Sequence, residues 1–489
     1  MKMRPMPICA AVCIGVSIMA FSTPQLLIIA CLAIFLFCII ALFKFKSSVI
    51  PCILALLMTF SASKAVLNIE KHNTLKNCTF CADFTVMESL SKTKYGYSTV
   101  VRANGGELPQ NTKLKLYCYK KITPGDIYRG KIKVKPINKY HGYYYSEGIY
   151  STASLKGSPI KLGENKGIKL LDRIRCNITS ALYANTRPDC AATLNALTVG
   201  EKSGFSSLFS NAVRRSGVSH VMVVSGMHLS IIMGAVMALL GDFGHNKYLR
   251  AFLVIFTVGL ISALCGFTTS IMRAGITYIF MAFSPVFERN TDSLNTLSAA
   301  VVFMLLFSPF AVYSISFQLS VLSTLGILVV MPAIMNVYHS FTRRKLKLID
   351  PIVTAVVITL SATLLTLPVI IYNFEEVSVI APITNILITF AVTGALIFAA
   401  AALILNALPV VSFLSYPLFW AAQVLTEYVN TVILKLGTLQ GAAIHADKAY
   451  ALFAALPVIV IFAVIYLSRL FDYRKEIKIL KDKGVIICR

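Results

Sequence analysis

Several signatures that would have settled the chemistry at once are missing. No G-x-x-x-x-G-K-[ST] run occurs, and "GEKSG" (200–204) does not make one, so no P-loop motor is encoded. Histidine occurs seven times, scattered and without an H-x-H-x-D-H run, which excludes a two-metal hydrolytic site of that kind. "CTFC" (78–81) is a C-x-x-C, but no second pair follows at zinc-site spacing. Internal repeats and low-complexity tracts are absent. Acid is scarce as well: 21 Asp and Glu stand against 46 Lys and Arg, a net charge of +25.

What the chain has in plenty is apolar length. Of 489 residues 57% are hydrophobic, a proportion typical of polytopic membrane proteins. Runs able to cross ~30 Å of hydrocarbon at ~1.5 Å per residue fall at about 6–22, 25–43, 48–62, 218–240, 249–266, 269–287, 295–312, 315–337, 351–372, 378–406, 410–436 and 450–468. Ten to twelve passes are expected, with re-entrant segments lowering the count. Basic clusters at Lys2 and Arg4, at Lys44 and Lys46, at Arg343 to Lys347, and from Arg469 to Arg489 fall on one side if there are twelve. Both termini are then cytoplasmic by the positive-inside rule.

Residues 64–176 differ: polar, rich in Lys, Tyr, Thr and Gly, and extracytoplasmic in that topology. They hold 21 Lys and Arg against 8 Asp and Glu, half of the chain's surplus. "KLKLYCYK" (113–120) puts Leu114, Leu116 and Cys118 on one strand face, and "DIYRGKIKVKPI" (126–137) does so for Tyr128, Ile132 and Val134. The turn signal "TPGD" (123–126) joins the two. Short strands with Gly-rich turns predict a small OB-like β-barrel. Cys78, Cys81 and Cys118 are candidates for a disulfide there. The expected organisation is N-terminal transmembrane helices (1–63), an OB-like domain (64–165), amphipathic interfacial helices (166–216), a transmembrane channel domain (217–470) and a basic cytoplasmic tail (471–489).

Three apolar stretches carry polar groups that are costly in lipid. In "VSHVMVVSGMHLSIIMG" (218–234), Ser225 and His228, three apart, share a helix face, and His220 lies one helical turn and more away. A Ser–His pair is a candidate intramembrane nucleophile, although no third orienting group is visible; Gly226 fits close helix packing; and the set also fits the lining of an aqueous path. Arg273, in "CGFTTSIMRAGITYIF" (265–280), lies on a stripe with Thr269, Ser270 and Thr277, and either snorkels to the interface or faces a path suited to anions. Gln318, with Ser316, Ser320 and Ser323, marks the third stretch. In the polar segment Lys131, Lys133 and Lys135 alternate along one strand face. Tyr143, Tyr144 and Tyr145 follow in "YHGYYYSEGIY" (140–150), a pairing of phosphate-tracking charge with base-stacking aromatics that single-strand binders use.

Taken together, "NALTVGEKSG" (195–204), "AVRRSGVSHVMVVSGMHLS" (212–230), "GFTTSIMRAGI" (266–276), the F-Q-L-S stretch within 292–328 and "PVIIYNFEEVSVIAPITNILI" (368–388) resemble the ComEC competence family. The resemblance implies an inner-membrane channel that conducts single-stranded DNA during natural transformation. His220, Ser225, Gly226 and His228 match its signature helix, Arg273 its membrane arginine and Gln318 its F-Q-L-S element. No cofactor is implied. The partners implied are single-stranded DNA, membrane lipids, an outer DNA receptor, a cytoplasmic helicase-like ATPase, a separate nuclease and further copies of the chain in a homo-oligomer. Many members carry a metallo-β-lactamase-like domain; its histidine run is lacking here, so a short form without nuclease or other enzymatic activity is expected. The alternatives are an intramembrane Ser/His hydrolase and a DNA- or lipid-binding scaffold.

Overall fold

Apolar runs form helices, and the polar insertion forms a sheet. The computed structural model describes residues 5–22, 49–74, 78–93, 96–108, 110–137, 141–222, 224–240, 246–287, 292–342, 350–458 and 460. The predicted pass at 25–43, most of that at 450–468, the four basic clusters (Arg469 to Arg489 included) and the tail 471–489 lie outside those residues.

Two helices, α1 (Pro5–Ser22) and α2 (Val49–Thr74), lead into six strands: β1 (Thr79–Val86), β2 (Ser91–Thr93), β3 (Gly96–Gly106), β4 (Lys113–Cys118), β5 (Asp126–Lys135) and β6 (Ile149–Glu164). A short helix, α3 (His141–Ser146), sits between β5 and β6. The pairings run β1–β5–β6–β4–β3, with β1 also pairing β3 and β2 extending the edge; β4 and β6 are parallel. Alternation orders the faces as predicted: Leu114, Leu116, Ile132 and Val134 are buried with Phe84 in one apolar core. Burying a side chain of this size contributes roughly 1.5–3 kcal/mol. The predicted turn is present, with Gly125 at φ +82, a conformation glycine adopts without a Cβ clash.

The expected bridge to Cys118 is not formed. Cys118 is a free thiol buried in the sheet's core, while Cys78 and Cys81 are exposed, so the side chains point into different environments.

Beyond the sheet come α4 (Lys166–Asn185), α5 (Pro188–Thr198) and α6 (Ser207–Arg215). Within the predicted interfacial segment, α5 is buried from Cys190 to Leu197. The remaining helices are α7 (Gly226–Leu240), α8 (Lys247–Leu264), α9 (Thr269–Phe283), α10 (Ser293–Phe307), α11 (Ile315–Thr342), α12 (Asp350–Phe374), α13 (Ala381–Asn406) and α14 (Ser415–Gly437). A two-stranded ribbon, β7 (Glu376–Ser378) with β8 (Ala443–His445), ties the end of α12 to the chain after α14.

Among the described residues five helices are long and apolar enough to cross a membrane: α8, α11, α12, α13 and α14 with its preceding 3₁₀ turn. The chain is a polytopic helical membrane protein with a separate β-sheet domain. The apolar helices α7, α9 and α10 have 15 residues each, about 22 Å of rise, less than the hydrocarbon thickness. Each adjoins irregular backbone: the turns before α7, the Gly266–Phe267 pair at positive φ before α9, and a 3₁₀ turn (309–313) after α10. The predicted pass at 218–240 is corrected accordingly, since its helix begins at Gly226.

Several attachments join sheet and helices, among them His72 of α2, which lies 3.4 Å from the Ser151 hydroxyl of β6. The hydroxyl of Ser308 donates to the Ser146 carbonyl of α3 (2.7 Å), the Tyr145 and Phe310 rings lie 6.0 Å apart, and Gly142 fits against Tyr313 with no room for a Cβ. At another, Asp126 is buried in the sheet and accepts from Lys161 (2.8 Å), from the Thr123 hydroxyl and from Lys169 of α4 (3.4 Å). Farther along α4, Arg175 donates to the carbonyls of Ala263 and Leu264 (2.7 Å each), where cation and helix C-terminus attract.

Candidate functional site

Ser225 is not on a helix face; it starts the helix. It occupies the capping position of α7, where the first turn leaves backbone N–H groups without partners. His228, three residues on, reaches back: the Ser225 backbone N–H donates to His228 Nδ1 (3.0 Å), and the Ser225 hydroxyl lies 3.0 Å from the same nitrogen. The imidazole takes the Ser225 backbone N–H as the third-residue side chain of a capping box does, while the Ser225 hydroxyl meets the ring rather than a backbone N–H of α7. His228 is fully buried and its Nε2 meets no hydrogen-bond partner among the described residues, so no third group orients the ring as a hydrolytic triad requires. His220 lies in the turn before α7, exposed and off the helix.

Gly226 matters for what passes beside it. A Cβ there would stand 3.1 Å from Arg273 Nη2 and 3.1 Å from the Ala274 Cβ, so the missing side chain lets α9 and its guanidinium lie against the start of α7. Arg273 Nε donates to Ser320 Oγ of α11 (2.7 Å), and Ser270 Oγ lies 3.3 Å from the same hydroxyl. Three helices converge on one cation. No carboxylate lies within ion-pairing distance of Arg273 among the described residues. An arginine at a helix centre costs roughly 2.5–3.5 kcal/mol on insertion scales; Arg273 is the fifth residue of α9, close to that helix's start.

Along α9 from Arg273 lies a cavity of about 160 Å³, bounded by Thr277, by Ser293 and Thr296 of α10, and by Thr324 of α11. Gln318 stands apart from it. Its Nε2 donates to the Val312 carbonyl (2.8 Å), clasping the 3₁₀ turn to the first turn of α11. The structure thus brings Ser225, Gly226, His228 and Arg273 together, and leaves His220 and Gln318 at the margins.

On the sheet, Lys131 and Lys135 are exposed and Lys133 half-exposed, all on the outward face of β5. Lys131 pairs in register with exposed Lys156 of β6, a like-charge juxtaposition that sheets ordinarily avoid. The tyrosines sit elsewhere, on α3. Tyr144 and Tyr145 are half-buried at the base of the sheet, Tyr145 against Tyr150 and Phe310, and Tyr143 is 46% exposed.

The sequence groups Ser320 with Gln318, Ser316 and Ser323 in one polar stretch and gives no signal for Lys156, Thr324 or Arg175. A serine at helical spacing from other serines gives no sign that an arginine from another helix finds it. Lys156 follows an apolar alternation, but only the sheet register reveals its partner.

A family described as "Competence protein" matches residues 197–471. ComE operon protein 3 of Bacillus subtilis (strain 168) is 25% identical over 252 residues, which is 51% of this chain and 30% of that protein. The chain therefore covers under a third of that relative's length. No solved structure matches.

Proposed function

The chain belongs to the competence protein family, and from that premise we propose that it passes single-stranded DNA inward across the cytoplasmic membrane during natural transformation. One observation carries the reading: Arg273, without a carboxylate among the described residues, sits where α7, α9 and α11 meet beside irregular backbone. Unwound backbone is tolerated at membrane depth where it lines a cavity, and arginines line pores that pass phosphates. His220, Ser225, Gly226, His228 and Gln318 belong to this region as channel and positioning residues, with no catalytic role.

The outer domain receives the strand. The strand pairings return to β1, as those of an OB-like barrel do, and such barrels bind single strands. The Lys131–Lys156 pair, with Lys133 and Lys135 beside it, supports contact with phosphates, because an anionic partner relieves the repulsion. The domain boundaries 1–63, 64–165, 166–216, 217–470 and 471–489 belong to this proposal, as do cytoplasmic termini and an extracytoplasmic sheet.

Moving an anionic strand into an inside-negative cell costs about 2.3 kcal/mol per charge per 100 mV. A helicase-like ATPase on the inner face supplies that work, an outer receptor delivers the DNA, and a separate nuclease degrades the other strand. Labelled transforming DNA should reach the cytoplasm in a deletion strain carrying the wild-type chain and stop at the cell surface with Arg273→Ala. Persistence of cytoplasmic uptake in the deletion strain itself would sink the proposal.

A further inference from the structure

The cavity beside Arg273 has a chemistry of its own. It runs from Arg273 past Thr277 to Met281, two turns of α9 or about 12 Å, toward the end of that helix. Four hydroxyl-bearing residues, Thr277, Ser293, Thr296 and Thr324, border it. Three of them are bonded to carbonyls in their own helices: Thr277 to Arg273, Thr296 to Asp292 and Thr324 to Ser320, at 2.9–3.0 Å. A helix carbonyl four residues back is already served by a backbone N–H, so each hydroxyl can turn its proton to a guest at little loss.

Among the described residues no acidic side chain borders the space, and its apolar wall is aliphatic: Met281, Leu297 and Leu328. A cation would meet Arg273 and be repelled. A nucleobase would find no aromatic face to stack on. The volume, about 160 Å³, is roughly five times one water's share of the liquid and well below the ~300 Å³ or more of pockets that take drug-sized ligands. What fits is small, anionic and able to accept several hydrogen bonds at once.

We infer that this cavity is a binding site for a single free tetrahedral oxyanion of the phosphate class, held by the Arg273 guanidinium and by the hydroxyls of Thr277, Ser293 and Thr324. Arg273 Nε is committed to Ser320, which fixes the fork, and the two terminal nitrogens offer the donors that match phosphate oxygens. The inference concerns a free anion bound among α9, α10 and α11 and not a strand in transit, so a failure of DNA uptake leaves it untouched.

Equilibrium binding of radiolabelled orthophosphate to the full-length chain in detergent micelles, in a buffer free of other oxyanions, is the test. Saturable binding is expected in the wild type, weakened by about tenfold or more in Arg273→Gln and by about fivefold in Thr324→Val, which keeps the cation and removes one donor. Thr324→Val also serves should Arg273→Gln fail to elute as a single species. A dithymidine phosphodiester, too large for the space, should not compete. Absence of phosphate binding in the wild type, or affinity unchanged in both variants, would overturn the site; competition by the phosphodiester at equal concentration would overturn its assignment to a free oxyanion.

Discussion

Ser225 and Gly226 are adjacent in sequence and do unrelated jobs. Ser225 opens α7 and holds the His228 ring through its backbone N–H and its hydroxyl, so removing the hydroxyl gives up one part-buried hydrogen bond, about 1 kcal/mol. Ser225→Ala should lower unfolding free energy by that amount and retain DNA uptake; loss of uptake in a Ser225→Ala chain that still folds would revive the hydrolase reading. Gly226 is limited by space. Gly226→Val presses on the Arg273 guanidinium and the Ala274 Cβ and should cost about 1–3 kcal/mol as overpacking, with uptake lowered and the sheet domain unaffected in thermal melts. The pattern S-G-x-H announced something unusual in lipid, and that much was legible. Its meaning was not, because a cap and a helix-face pair have the same spacing; only the backbone before Gly226 tells them apart.

The sheet is where sequence and structure agree best at the level of elements. Period-two alternation over 113–120 gives β4 its start and its inward face, since a strand with one buried face leaves no other register, although the strand itself ends at Cys118. The pass predicted from residue 218 failed for the opposite reason: apolar composition has no period of its own, so nothing in it marks where helix yields to turn. Element-level energetics centre on Asp126. Burial would raise its carboxyl, but Lys161, Thr123 and Lys169 outweigh that and hold it at about 2. Because the folded value lies below the unfolded one, the clamp contributes fully above about pH 4 and is lost as pH falls toward 2. Its worth is about 2 kcal/mol. Asp126→Asn should therefore speed hydrogen exchange across residues 161–169 at neutral pH, and the wild type should acquire the same exchange pattern only in strong acid.

At the scale of the whole molecule, charge and topology decide what can be tested. Replacing Lys131, Lys133 and Lys135 together with Gln should flatten the dependence of log K on log[salt] for single-stranded DNA by about 2, the release expected for three phosphate contacts at ~0.7 each; an unchanged slope would assign the row to a solvated face. The basic surplus of the 64–176 segment was plain from composition, as was the division into sheet and helices. The attachments between them were not. Ser146 and Ser308 are 162 residues apart, and no local pattern couples such positions. That separation also sets a schedule for biosynthesis. The sheet domain is translated long before the turn that completes its base, and at roughly 5–20 residues per second Ser308 follows Ser146 by about 8–30 s. Throughout that interval Tyr145 lacks the Phe310 it packs on, so the newborn domain displays an apolar base that a chaperone must shield or a neighbouring chain will find.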